Sequence, residues 1–231
     1  MAKTVAIIQS NYIPWKGYFD IINAVDEFVL YDDMQYTRRD WRNRNMVKTA
    51  QGVRWITIPV EVKGRYDQRI CDTRVADSSW AKSHFNTLLH GYAKAKHFDL
   101  YHDDFKALYE EASNIELLSE INYLFIKYIC AELKITTPFI WSTALDAKGV
   151  KSDRLLDICL QLKATKYISG VAASCYLDTE LFKSNGIEVE FFEYPVYSEY
   201  EQLYPPFTHT VSVLDLFVHT GKAARDYVFS K

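Results

Sequence analysis

Val5-Ala6-Ile7-Ile8-Gln9-Ser10-Asn11-Tyr12-Ile13-Pro14-Trp15-Lys16-Gly17 begins as an apolar run and ends as a polar, aromatic loop. A second run, Phe28-Val29-Leu30-Tyr31, stops at Asp32-Asp33 and leads into Gln35, Arg38, Arg39, Asp40, Trp41, Arg42, Asn43 and Arg44. Short apolar runs of this kind read as buried strands. Ligands of α/β proteins bind outside the carboxyl ends of the strands, so two strands that end in dense polar loops predict a pocket at those ends. Between the runs, residues 16–25 predict a helix that buries Tyr18, Phe19, Ile21 and Ile22 and turns Asp20 and Asn23 outward. A strand–helix–strand crossover is right-handed and makes its two strands parallel.

Outward from that unit, residues 55–62 are extended in composition, but Pro59 cannot donate to a ladder and suits an edge or a bulge. The spacing then turns helical over about residues 79–134. Trp80, His84 and Leu88 share one face, a second helix covers about 99–111, and a third, about 115–133, repeats Leu117, Ile121, Leu124 and Tyr128. Residues 137–141 predict a strand, and Ser152 predicts the cap of a helix that buries Leu155, Ile158, Cys159 and Leu162. Residues 166–169 and 187–193 predict two more strands, with a helix near 179–184 between them. Pro195, Pro205 and Pro206 interrupt a tyrosine-rich segment. Ser212 with Asp215 resembles a capping box, and Gly221 closes a last helix. The expectation is a single α/β domain over residues 1–231, a mainly parallel sheet flanked by helices with a helical insertion at about 79–134.

Composition narrows the function classes. The chain has 231 residues, a formal charge of -3 and 48% hydrophobic residues. A charge so near zero argues against a nucleic-acid partner bound by neutralising many phosphates. No apolar stretch reaches the ~18–20 residues that span a bilayer, so no membrane insertion is expected. The start, Met1-Ala2-Lys3-Thr4, enters a strand at once rather than a hydrophobic leader. Four scattered cysteines without C-x-x-C spacing suit a reducing cytoplasm.

The candidate chemistry clusters at the strand ends. Asp32 or Asp33 is placed to take a proton from an amine or to grip sugar hydroxyls; a shared divalent metal is the weaker option because adjacent carboxylates on extended chain point apart, and the alternative is a solvated or helix-capping pair. Arg39, Arg42 and Arg44, with Arg38, suit a phosphorylated ligand, because a guanidinium meets phosphate oxygens bidentately; Trp41 among them offers a stacking face. The alternative is a salt-bridged surface ridge. Gln9, Asn11 and Tyr12 offer neutral hydrogen bonds. Ser169-Gly170 after a strand offers a hydroxyl or amides. His84 is either a semi-buried imidazole or a base with a suitable intrinsic pKa. No Walker A or G-x-G-x-x-G sequence occurs, and no metal site is expected.

Several stretches together strongly resemble the WbqC-like family. They are Ile8 to Phe19 as quoted above, Tyr31-Asp32-Asp33-Met34-Gln35-Tyr36, Arg39-Asp40-Trp41-Arg42-Asn43-Arg44-Asn45, Trp55-Ile56-Thr57-Ile58-Pro59-Val60, Ser152-Asp153-Arg154-Leu155, Tyr167-Ile168-Ser169-Gly170 with Tyr176-Leu177, and Ser212-Val213-Leu214-Asp215-Leu216-Phe217. Ser10 stands where that family usually has proline. The resemblance implies a role in bacterial polysaccharide biosynthesis, O-antigen included, and a cytoplasmic transferase that acylates or aminoacylates the amine of a nucleotide-linked amino sugar. The donor expected is an acyl thioester or an activated amino acid. In that reading His84, Asp33 or Asp32 relieves the amine of its proton. Gln9, Asn11, Tyr12, Trp15, Gln35, Arg39, Trp41, Arg42, Arg44, Ser169, Gly170 and Tyr176 hold the substrate. Two alternatives stand beside it: a nucleotidyl or adenylyl transferase, and a non-catalytic sugar-nucleotide binding protein.

Overall fold

The computed structural model describes residues 2–229, so the outermost residues of the expected 1–231 span, Met1 among them, lie outside it. Five parallel strands form the main sheet: β1 (Thr4–Ile8), β2 (Glu27–Leu30), β5 (Phe139–Trp141), β6 (Lys166–Gly170) and β7 (Glu188–Phe192), in the order β5-β2-β1-β6-β7. Val5 faces Glu27 and Ala6 faces Phe28 across β1 and β2, while Val5 faces Tyr167 across β1 and β6. The chain therefore winds from β1 through β2 to β5 in one direction, and from β6 to β7 in the other. Right-handed crossovers that run in opposite directions put their helices on opposite faces. Helix α1 (Lys16–Asn23) accordingly packs on one face and α6 (Thr179–Ser184) on the other.

The strands alternate between two cores. Ala6, Phe28, Leu30 and Ile168 point to the larger one with Tyr18, Phe19, Ile21 and Ile22 of α1. Val5, Ile7, Val29 and Tyr167 point to the smaller one with Leu155, Leu156, Ile158 and Cys159 of α5 (Lys151–Gln161) and Phe182 of α6. Period-2 alternation in strands buried on both faces gives this division.

Helices α2 (Trp80–Tyr92), α3 (Phe98–Ala112) and α4 (Leu118–Glu132) form the helical insertion between β2 and β5. Ahead of these helices the same β2–β5 connection forms a hairpin, β3 (Arg44–Thr49) with antiparallel β4 (Gly52–Thr57), which the sequence patterns do not reveal. Residues 40–43 are turns and bends leading into β3. Strand β4 stops at Thr57, so Pro59 lies just beyond the ladder. The α5 helix starts two residues earlier than expected: Val150, not Ser152, is its N-cap residue, and the Ser152 hydroxyl accepts the amide of Asp178 at 3.1 Å. At α7 (Val213–Thr220) the Ser212 hydroxyl accepts the Leu214 amide, but the Asp215 carboxylate turns away to Tyr200 and Gln202. Among the described residues no helix is long and apolar enough to cross a membrane.

Candidate functional site

Strand order reverses between β1 and β6, and a crevice of about 490 Å³ opens outside their carboxyl ends. This is where loops from neighbouring strands diverge and leave room for a ligand. Gln9 and Asn11 enter it from β1, Ser169 and Gly170 from β6, and Tyr176 from the short turn of helix at Val171–Cys175. Tyr18, Tyr31, Tyr194 and Trp15 add aromatic walls. Arg42 and Lys151 bring the cations.

The loop after β1 is tied to residues 41–45 at several points. Tyr12 N–H donates to the Trp41 carbonyl at 3.0 Å. Asn45 Nδ2 donates to the carbonyls of Tyr12 at 3.0 Å and Ile13 at 2.9 Å, which holds Ile13 in the left-handed conformation at φ 37°. Asn122 Nδ2 bridges the Ser10 hydroxyl and the Arg42 carbonyl, both at 2.9 Å. The guanidinium of Arg42 donates to Asn11 Oδ1, and its Nε is buried without a protein partner. Asp40 stands 3.7 Å from the same guanidinium and neutralises part of its charge, so an anion in the crevice meets a donor fork of fixed plane that it shares with that carboxylate.

Asp32 is fully buried under this loop, where its Oδ1 accepts the Ser10 amide at 2.7 Å. Burial raises its pKa, while the Ser10 bonds and Arg42 act in the opposite sense. Asp33 accepts the Ser142 hydroxyl at 2.6 Å and pairs with Arg154. Both carboxylates fasten the end of β2 rather than line the crevice.

His84 and Tyr12 belong to the core. Tyr12 has no exposed surface, and its hydroxyl meets His84 Nδ1 at 3.0 Å and the Tyr109 hydroxyl at 2.8 Å. Burial lowers the His84 pKa to about 4 and raises that of Tyr12. An imidazole closed in by Trp80, Tyr12 and Tyr109 meets no ligand in the crevice.

The arginines disperse. Arg44 lies over the Trp55 ring at 4.1 Å, and Arg39 is exposed with φ 60°. Gln35 donates to the Tyr66 carbonyl at 3.0 Å in a separate surface depression shared with Arg38. Trp41 lines a neighbouring cavity that shares Asn11 and Trp15 with the crevice. The structure thus gathers Gln9, Asn11, Trp15, Arg42, Ser169, Gly170 and Tyr176, and sets Trp41 next to them. Lys151, Tyr18, Tyr31 and Tyr194 escaped the sequence reading. Lys151 has a faint signal in its place ahead of Ser152-Asp153 at a helix start, and Tyr194 none, because its approach to Trp15 (5.0 Å between rings) is long-range. Among the described residues no group of three or more metal-ligating side chains occurs.

A parallel sheet whose strand order reverses at a switch point places the chain among the doubly wound α/β folds. The model of the WbqC-like protein family matches residues 9–227, and the chain belongs to that family. It is 46% identical over 226 residues to Rv1507c, an uncharacterized protein of Mycobacterium tuberculosis, covering 98% of this chain and 97% of that one. No solved structure matches it.

Proposed function

We propose that the crevice binds a nucleotide-linked amino sugar and that the protein is a transferase that acylates or aminoacylates the sugar amine in bacterial polysaccharide biosynthesis. The observation that carries this reading is the Arg42 guanidinium, fixed by Asn11 at the switch point with its Nε unpartnered. A phosphate meets Arg42 and Lys151, hydroxyls meet Gln9, Asn11 and Ser169, and a sugar face packs on Trp15, Tyr176 or Tyr194.

In the transfer, the amine nitrogen attacks the donor's carbonyl carbon. A C–N bond forms, the C–S bond of a thioester or the C–O bond of an activated amino acid breaks, and the amine's proton leaves with the departing group or to water. The first amides of the turn at Val171–Cys175 are the candidate donors to the developing oxyanion. Among the described residues the crevice lining holds no carboxylate or imidazole. The chain's contribution in this reading is positioning, which by itself is worth several orders of magnitude in rate, together with those amides.

That same lining supports a second reading, a sugar-nucleotide binding protein without turnover. Incubation with a panel of nucleotide-linked amino sugars and acyl donors, with product mass and thermal shift as readouts, separates the two. The transferase gives a thermal shift and a product heavier by one acyl group. The binding protein gives the shift alone, and no shift with any sugar nucleotide overturns both.

A further inference from the structure

A second cavity, of about 380 Å³, lies across Trp15 and Asn11 from the crevice. Both residues line both spaces, so whatever occupies one lies a side chain's width from the other. The walls of this cavity are Pro14, Trp15, Trp41 and Met46, none of them charged. Asn45 sits among them with its side chain already engaged, Nδ2 on two carbonyls and Oδ1 on the Met46 amide at 2.7 Å. The Asn11 amide nitrogen and the Thr210 hydroxyl, which shares a 2.9 Å bond with Thr208, are left to meet a ligand.

Both indoles are anchored from behind. Trp41 rests on Trp55 with ring centres 5.0 Å apart, Arg44 lies over Trp55 in turn, and Trp41 itself stays 41% exposed. Trp15 folds back onto Gly17, with Tyr194 and Tyr197 meeting it at 5.0 and 5.9 Å. Rigid aromatic faces with a few neutral hydrogen-bonding groups recognise flat uncharged rings, because stacking needs a face and no charge. A flexible acyl chain needs only apolar walls and makes no use of anchored indoles.

We propose that this cavity seats the nucleobase of the nucleotide-linked ligand. The heterocycle stacks on Trp41 and Trp15, Asn11 and Thr210 read its edge, and the phosphates pass Asn11 to reach Arg42. This inference rests on the crevice being the phosphosugar site.

The test titrates the full chain with uridine, cytidine, adenosine, guanosine and thymidine 5′-diphosphates, and separately with glucosamine 1-phosphate, by tryptophan emission and calorimetry. At least one nucleoside diphosphate is expected to bind and change the emission. Trp41→Ala is expected to weaken that binding by about tenfold or more, the size of one lost base–aromatic stack, and Trp41→Phe to restore most of it. Glucosamine 1-phosphate binding is expected to be the same in wild type and Trp41→Ala. Unchanged nucleotide affinity in both Trp41→Ala and Met46→Lys overturns the base site. Binding of the sugar phosphate but of no nucleoside diphosphate overturns it too and leaves the crevice reading standing. No binding of either class overturns both.

Discussion

Asn11 accepts a hydrogen bond from the guanidinium of Arg42, so a side chain in the loop after the first strand aims the cation delivered by a second loop 31 residues later. The bond fixes the guanidinium plane and leaves Nε buried without a protein partner. Arg42→Lys is expected to lose nearly as much sugar-nucleotide affinity as Arg42→Ala, at least about tenfold, because an ammonium cannot present the fork. Asn11→Ala is expected to cost less by itself. In calorimetric titrations the pair is expected to be non-additive, since the two side chains act as one unit. Full additivity would show that Asn11 does not aim Arg42.

Asp32 gives a prediction about the floor of the same loop. Its Oδ1 is the acceptor for the buried Ser10 amide, while its Oδ2 has no partner. Asp32→Ala leaves that amide unsatisfied and is expected to destabilise the protein by about 2 kcal/mol. Asp32→Asn keeps the acceptor and removes a buried charge whose pKa is already raised by desolvation. It is expected to stay within about 1 kcal/mol of wild type in urea unfolding at pH 7. Equal losses in the two variants would mean that the charge, not the Ser10 bond, is what matters.

The fold was legible because its signals are local. The runs at Val5 and Phe28 end where buried strands end, and the three- and four-residue spacing of Leu117, Ile121 and Leu124 marks α4. The hairpin was harder to read because five of the six residues of β4 are exposed and leave little apolar alternation. The candidate crevice was half legible. Residues at the ends of β1 and β6 converge because strand ends in a parallel sheet must, so Gln9, Asn11, Ser169 and Gly170 follow from the topology alone. His84 and Tyr12 show the limit: a histidine or tyrosine on an apolar helix face or strand end reads the same whether its polar atom meets a ligand or a second buried side chain. Here Tyr12, His84 and Tyr109 satisfy one another. The four arginines separate because Arg44 enters a strand while Arg38 and Arg39 sit in the turn before it.

His84 carries a pH dependence of stability. Burial lowers its pKa from 6.5 to about 4, so between those values the unfolded chain binds the proton and the folded one does not. Stability from this group is therefore fully present above about pH 6.5 and falls as the pH drops towards 4, by about 3 kcal/mol in all. Replacing the imidazole by a non-titrating group, as in His84→Gln, removes this component. The thermal midpoint of wild type is expected to fall more steeply than that of His84→Gln between pH 6.5 and 4. Parallel curves would mean that the imidazole titrates normally and is not closed in by Trp80 and Tyr12.

Gly17 has the sharpest steric role. A Cβ there would stand 2.3 Å from Cζ2 and 2.6 Å from Cη2 of Trp15, well inside contact distance. Helix propensity alone would favour alanine over glycine by up to about 1 kcal/mol, but the indole must leave the helix surface for a methyl to fit. Trp15 walls both the crevice and the neighbouring cavity, so its displacement disturbs both. Gly17→Ala is expected to lose sugar-nucleotide affinity by about tenfold or more and to change the near-ultraviolet circular dichroism, with the far-ultraviolet spectrum retained. In a Trp15→Ala background the clash is gone, so the same substitution is expected to be neutral or to raise the thermal midpoint. If Gly17→Ala lowers stability equally in both backgrounds, the close approach of this glycine to Trp15 is not what requires it.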